Sequence, residues 1–105
     1  MKEQIELIER TFQFLENEFD YEYFVKSPSN HRICKSINYY RNYLTIEIQL
    51  HKNGVYFYVN VISEKDESFT ITSFNNKMIF CDDLNLDNLD KAKIKLLSHL
   101  KQYKP

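Results

Sequence analysis

Two alternating runs flank the chain's only glycine. Leu44-Thr45-Ile46-Glu47-Ile48-Gln49-Leu50 and Val55-Tyr56-Phe57-Tyr58-Val59-Asn60-Val61 each place an apolar side chain at every second position, with Asn53-Gly54 between them. Period-two alternation is the signature of a strand with one buried face, and Asn-Gly suits the tight hairpin turn because its central residues need positive φ. Folding there opposes Leu50 to Phe57, Ile48 to Val59 and Ile46 to Val61 on one face. The other face then carries Glu47, Gln49 and His51 across from Asn60, Tyr58 and Tyr56.

The same reasoning extends the sheet. Residues 32–39 read as a preceding strand, joined by a two-residue loop at Arg41-Asn42 that opposes Tyr39 to Leu44 and Ile37 to Ile46. Lys35 then faces the core beside Ile48, a device that guards edge strands, so this strand is expected at the sheet's edge. Phe69-Thr70-Ile71-Thr72-Ser73-Phe74 reads as a strand after the polar Glu64-Lys65-Asp66-Glu67, and burial of Phe69 and Ile71 requires an odd-numbered loop. Met78-Ile79-Phe80-Cys81 is a candidate fifth strand. Residues 19–25 allow a short extended segment, and Ser27-Pro28-Ser29-Asn30 is a turn signal.

Helical periodicity brackets these strands. Ile5, Ile8, Phe12 and Leu15 recur at three- and four-residue steps across 3–17, while Leu7 and Phe14 fall nearly opposite and imply either a helix covered on more than one side or an exposed apolar pair. At the other end Leu89, Ala92, Leu96, Leu97, Leu100 and Tyr103 form a broad stripe, with Asp87 as the expected N-cap. The pattern predicts a single α+β domain over 1–105. In it, a four- to five-stranded antiparallel meander carries both helices on one face and leaves the other partly open.

Composition narrows the class. At 105 residues, 43% hydrophobic and 28% charged, the chain has the make-up of one globular domain. No apolar run approaches the ~18 residues of a membrane span, and the acidic start lacks the features of an export signal. Cys34 and Cys81 are therefore expected as free thiols in a reducing cytoplasm. Abundant Ile, Asn, Lys, Tyr and Phe with scarce Gly, Pro and Ala points to an AT-rich, bacterial genome. The net charge of −1 conceals a polarity: residues 1–22 carry −5 and residues 88–105 carry +4. Two oppositely charged helices side by side account for it, and an acidic end would also attract a basic partner.

Chemistry is sparse. His31, His51 and His99 have no second ligand at metal-binding spacing, so neither metal nor cofactor is expected. With a single glycine there is no phosphate-cradling loop, and no nucleophile motif is present. Asp82-Asp83 is the best acid pair for a metal-dependent hydrolase, and Glu47 with His51 is a nominal acid–base pair, both weaker readings than solvated side chains. Tyr56 and Tyr58 are of the type that stacks bases, but their neighbours Glu47, Gln49 and Asn60 are not cationic, which argues against nucleic acid. Protein recognition fits better. Tyr56 and Tyr58 amid Glu47, Gln49 and Asn60, with Asp66 and Glu67 at the rim, have the composition of an interface centre, although a solvated sheet face with cross-strand packing has the same composition.

In layout the chain resembles small bacterial immunity proteins. The resemblance rests on the acidic helix with Phe14-Leu15-Glu16-Asn17-Glu18-Phe19, the hairpin from Tyr43 to Ser63 and the closing Leu- and Lys-rich helix. It implies a cytoplasmic antidote that binds one cognate toxin domain tightly and stoichiometrically. Together with the sparse chemistry, the expectation is a non-enzymatic monomer or weak homodimer that binds neither nucleic acid nor membrane. The competing expectation is a secretion chaperone or adaptor that uses exposed Leu7 and Phe14 to hold a client or to homodimerise.

Overall fold

The computed structural model describes residues 2–26, 33–51, 54–65, 67–72 and 82–101. Helix α1 (Lys2–Phe12) is followed by the short α2 (Phe14–Asn17), then by strands β1 (Glu22–Lys26), β2 (Ile33–Arg41), β3 (Leu44–His51), β4 (Tyr56–Ile62), β5 (Ser68–Thr70) and β6 (Asp82–Asp83), and finally by α3 (Leu86–Leu100). The sheet is antiparallel in meander order β1-β2-β3-β4-β5, and β6 also pairs with β4. The α+β meander flanked by helices is therefore the observed architecture.

The central hairpin forms in the expected register, with Leu50 opposite Phe57, Ile48 opposite Val59 and Ile46 opposite Val61. Gly54 adopts φ 85° and its N–H donates to the His51 carbonyl at 3.1 Å, so a left-handed backbone is required where the only glycine stands. Asn53 lies outside the described residues. Five residues separate the paired Ile62 and Ser68, which places Phe69 and Ile71 on the helix-covered side as the parity argument requires.

One face is sealed by both helices. Leu44, Ile46, Ile48, Leu50, Phe57, Val59 and Val61 pack with Ile8, Phe12 and Leu15 from the N-terminal helices and with Leu89, Ala92, Leu96 and Leu100 from α3. Leu97 packs at the margin of this core, and Tyr103 lies outside the described residues.

Several expectations are corrected. The strand at 32–39 is not an edge, because β1 pairs along it from Glu22↔Tyr40 to Lys26↔Ser36. The β2–β3 turn falls on Asn42-Tyr43, at φ 50° and 66°, one residue beyond the expected Arg41-Asn42. A one-residue shift of a turn slides the register by two, so Tyr39 opposes Ile46, Ile37 opposes Ile48, Lys35 opposes Leu50, and the faces stay the same. The helix expected over 3–17 is interrupted at Gln13. Just upstream, the Thr11 hydroxyl donates to the Leu7 carbonyl at 2.7 Å, a back-bond that bends helices.

That interruption turns Phe14 inward, where it meets the Phe19 ring edge-on at 5.9 Å and takes the Lys93 ammonium over its face at 5.2 Å. Leu7 is partly buried against the same core, so the exposed Leu7/Phe14 pair does not form. The N-cap of α3 is Asn85 rather than Asp87: at φ −149° its side chain accepts from the Asn88 N–H at 2.8 Å, and Asp87 joins the first turn. The candidate strand 78–81 lies outside the described residues.

Candidate protein-binding face and the adjoining groove

Alternation along β2, β3 and β4 defines the sheet's second face as the complement of the core. Registry sets the residues in rows across it: Asn38, Glu47, Asn60 and Thr70 in one, Ser36, Gln49 and Tyr58 in the next, His51, Tyr56 and Asp83 beyond. Glu47, Gln49, Tyr56 and Tyr58 are half-buried. Five of the expected site residues, Glu47, Gln49, Tyr56, Tyr58 and Asn60, are thus brought together.

They are not equally accessible. Asn60 is only 6% exposed, and among the described residues its Oδ1 has no hydrogen-bond partner. It forms the floor of the face rather than its surface. Asn38, two strands away on the other side of Glu47, is also buried and donates from Nδ2 to the Ser36 hydroxyl at 3.1 Å. On the far side of β4, the buried Thr72 accepts the Val59 N–H on its hydroxyl at 3.3 Å, closing that margin of the sheet.

His51 does not join Glu47 in an acid–base pair. Its Nε2 lies 3.0 Å from Gln49 Oε1, and burial pulls its pKa below the ordinary value, with Glu47 acting only as a weaker opposing charge. Asp82 and Asp83 form a short strand on β4, where Asp82 is buried and Asp83 exposed. Consecutive strand positions point to opposite faces, so the two carboxylates do not converge on one site. Among the described residues no group of three or more His, Cys, Asp or Glu side chains is arranged to hold a metal ion.

Glu67 stands elsewhere, and Asp66 lies outside the described residues. With Glu64, Glu67 lines a groove of about 880 Å³ at the end of the sheet where the Asn42-Tyr43 turn, the β4–β5 connection and the end of α3 meet. Its apolar wall comes from Phe19, Tyr21, Leu44 and Leu100. The Arg41 guanidinium ties the wall together by donating to the Phe19 carbonyl at 2.5 Å. Burial raises the Tyr21 phenol pKa, an effect the neighbouring Arg41 charge partly offsets. Sequence reasoning missed this groove because three separate connections and the end of α3 build it, and none carries a local motif. The exposed Tyr43 beside Asn42 was its one visible cue.

A third polar cluster joins α1 to the sheet. The Tyr23 hydroxyl donates to Glu9, and its pKa is pushed up to about 12, mainly by burial and then by that bond and the Glu9 and Glu16 charges. Its ring lies 5.5 Å from that of the fully buried Tyr39, whose pKa burial raises further.

No family model matches the chain, and neither the curated proteins nor the solved structures contain a match to it. Among the described residues, no helix is long and apolar enough to cross a membrane.

Proposed function

We propose that the protein is a non-enzymatic, cytoplasmic binding protein of the bacterial immunity type, blocking a cognate toxin domain by stoichiometric occlusion. The observation that carries this reading is the sheet face opposite the helices, where Tyr56 and Tyr58 stand among Glu47 and Gln49 with no described helix above them. Tyrosine among groups that accept hydrogen bonds combines apolar area with polar specificity, the character of interface centres. The acidic N-terminal end adds a field suited to a basic partner: Glu3, Glu6, Glu16, Glu18, Asp20 and Glu22 are all exposed. The chaperone reading loses its surface, since Phe14 is buried and Leu7 partly so.

The test is calorimetry against the product of an adjacent toxin-like reading frame. A one-to-one complex is expected, and Tyr56→Ala with Tyr58→Ala is expected to weaken it by about 2–4 kcal/mol while the circular dichroism spectrum stays native. Absence of binding defeats the functional reading. Full affinity in the double variant shows that another surface, such as the groove, makes the contact.

A further inference from the structure

The sheet has two edges, and the chain protects them unequally. β5 is three residues long, and its exposed Phe69 is stacked on His99 of α3 at 4.1 Å and 4°, with the Lys95 ammonium 5.8 Å from the ring. β1 is longer and outermost, pairing only with β2 among the described residues. Among the described residues nothing pairs with its outer side, whose backbone donors and acceptors are the usual template for adding another strand. Its centre is apolar: Phe24 is 41% and Val25 47% exposed.

The sequence of β1, Glu-Tyr-Phe-Val-Lys, is complementary to itself when reversed. We propose that β1 is a homodimerisation edge, at which a second copy of this chain adds its own β1 antiparallel, centred on Phe24. In that register position 22 opposes position 26 of the second copy, 23 opposes 25 and 24 opposes 24. Glutamate thus meets lysine at both ends, phenylalanine meets phenylalanine, and tyrosine meets valine. A twofold axis through Phe24 generates every contact twice, as an isologous interface requires. A parallel pairing in register sets glutamate against glutamate and lysine against lysine, and a one-residue slip exchanges the faces. Only the antiparallel arrangement satisfies charge and face together.

The dimer joins two sheets into one continuous sheet and sets the two tyrosine-bearing faces side by side. A contact five residues long falls short of the ~1,000 Å² of a stable interface, so association is weak and reversible. The inference is independent of the toxin-binding reading, because it is tested on the protein alone.

Sedimentation velocity on the full chain, from low micromolar to millimolar concentration, is expected to show a reversible monomer–dimer equilibrium weakened by salt. Glu22→Lys and Lys26→Glu each place like charges opposite one another at both ends, and each is expected to weaken dimerisation about tenfold or more. The double variant restores it, and so does an equimolar mixture of the two single variants, whose β1 strands are then of opposite charge. A wild-type chain that stays monomeric at millimolar concentration overturns the proposal. So do single variants that dimerise unchanged, or a double variant and mixture that fail to recover while remaining folded by circular dichroism.

Discussion

Asn60 is the position where this fold departs most sharply from what its own strand calls for. It sits in β4 between β3 and β5, opposite Glu47 on one side and Thr70 on the other, with a buried Oδ1 that receives no hydrogen bond from the described residues. An orphaned buried acceptor costs about 1–3 kcal/mol, and asparagine is a poor strand former by up to ~1 kcal/mol relative to valine. Replacing the whole amide also forfeits what its nitrogen gains, of order 0.5–1 kcal/mol. Asn60→Val is therefore expected to stabilise the domain by about 1–2 kcal/mol. In a chain of this size that raises Tm by about 5–10 °C, and it raises the urea midpoint by roughly 0.5–1.5 M at unchanged slope. Asn60→Asp, which places a buried carboxylate directly across from Glu47, is expected to lower both. A destabilised valine variant refutes the reasoning, since it means the Asn60 oxygen is satisfied in solution.

Two further predictions test the structure directly. His51 and His99 are both held below their ordinary value of 6.5 by burial, so the unfolded chain binds more protons than the native one as pH falls past that value. Stability is therefore fully present above pH ~7 and is lost as pH drops through the folded values. Thermal melts from pH 8 to 5 should show this fall, and His51→Gln with His99→Gln should flatten it. Asn85→Ala removes the observed cap of α3 and is expected to cost about 1 kcal/mol, whereas Asp87→Ala costs only a few tenths through the helix dipole; denaturant melts that reverse this order contradict the cap assignment.

The parts of the fold that were legible share a physical cause. β3 and β4 are flanked on both sides by other strands and have one sealed face, so burial imposes alternation, and Gly54 marks a place where the hairpin needs a left-handed residue. β1 obeys no such rule. It is an edge strand whose Phe24 and Val25 are both more than a third exposed although they point to opposite faces, so its period is invisible. The β2–β3 turn was displaced because Asn42 and Tyr43 both take positive φ without a glycine. Asparagine tolerates that region, but a bulky tyrosine there is rare, so turn chemistry pointed one residue early. The cap was ambiguous for a different reason: Asn85 and Asp87 are both good N-cap residues, and only the extended backbone at Asn85 decides between them.

The two candidate surfaces differ in the same way. The tyrosine face was readable because it is the remainder of a core: once Ile46, Ile48, Val59 and Val61 are assigned inward, Glu47, Gln49, Tyr58 and Asn60 have nowhere else to go. What alternation does not report is depth. Asn60 and Tyr58 are two positions apart on one strand and share a face, yet one is sealed and the other half-open. The groove is one step further from the sequence, since Phe19, Arg41, Glu67 and Leu100 meet there only after every register has been set. Its assembly depends on the Asn42-Tyr43 turn, so a two-residue change in register that leaves the tyrosine face intact would dismantle the groove. The face is therefore a property of strand composition, and the groove is a property of the fold.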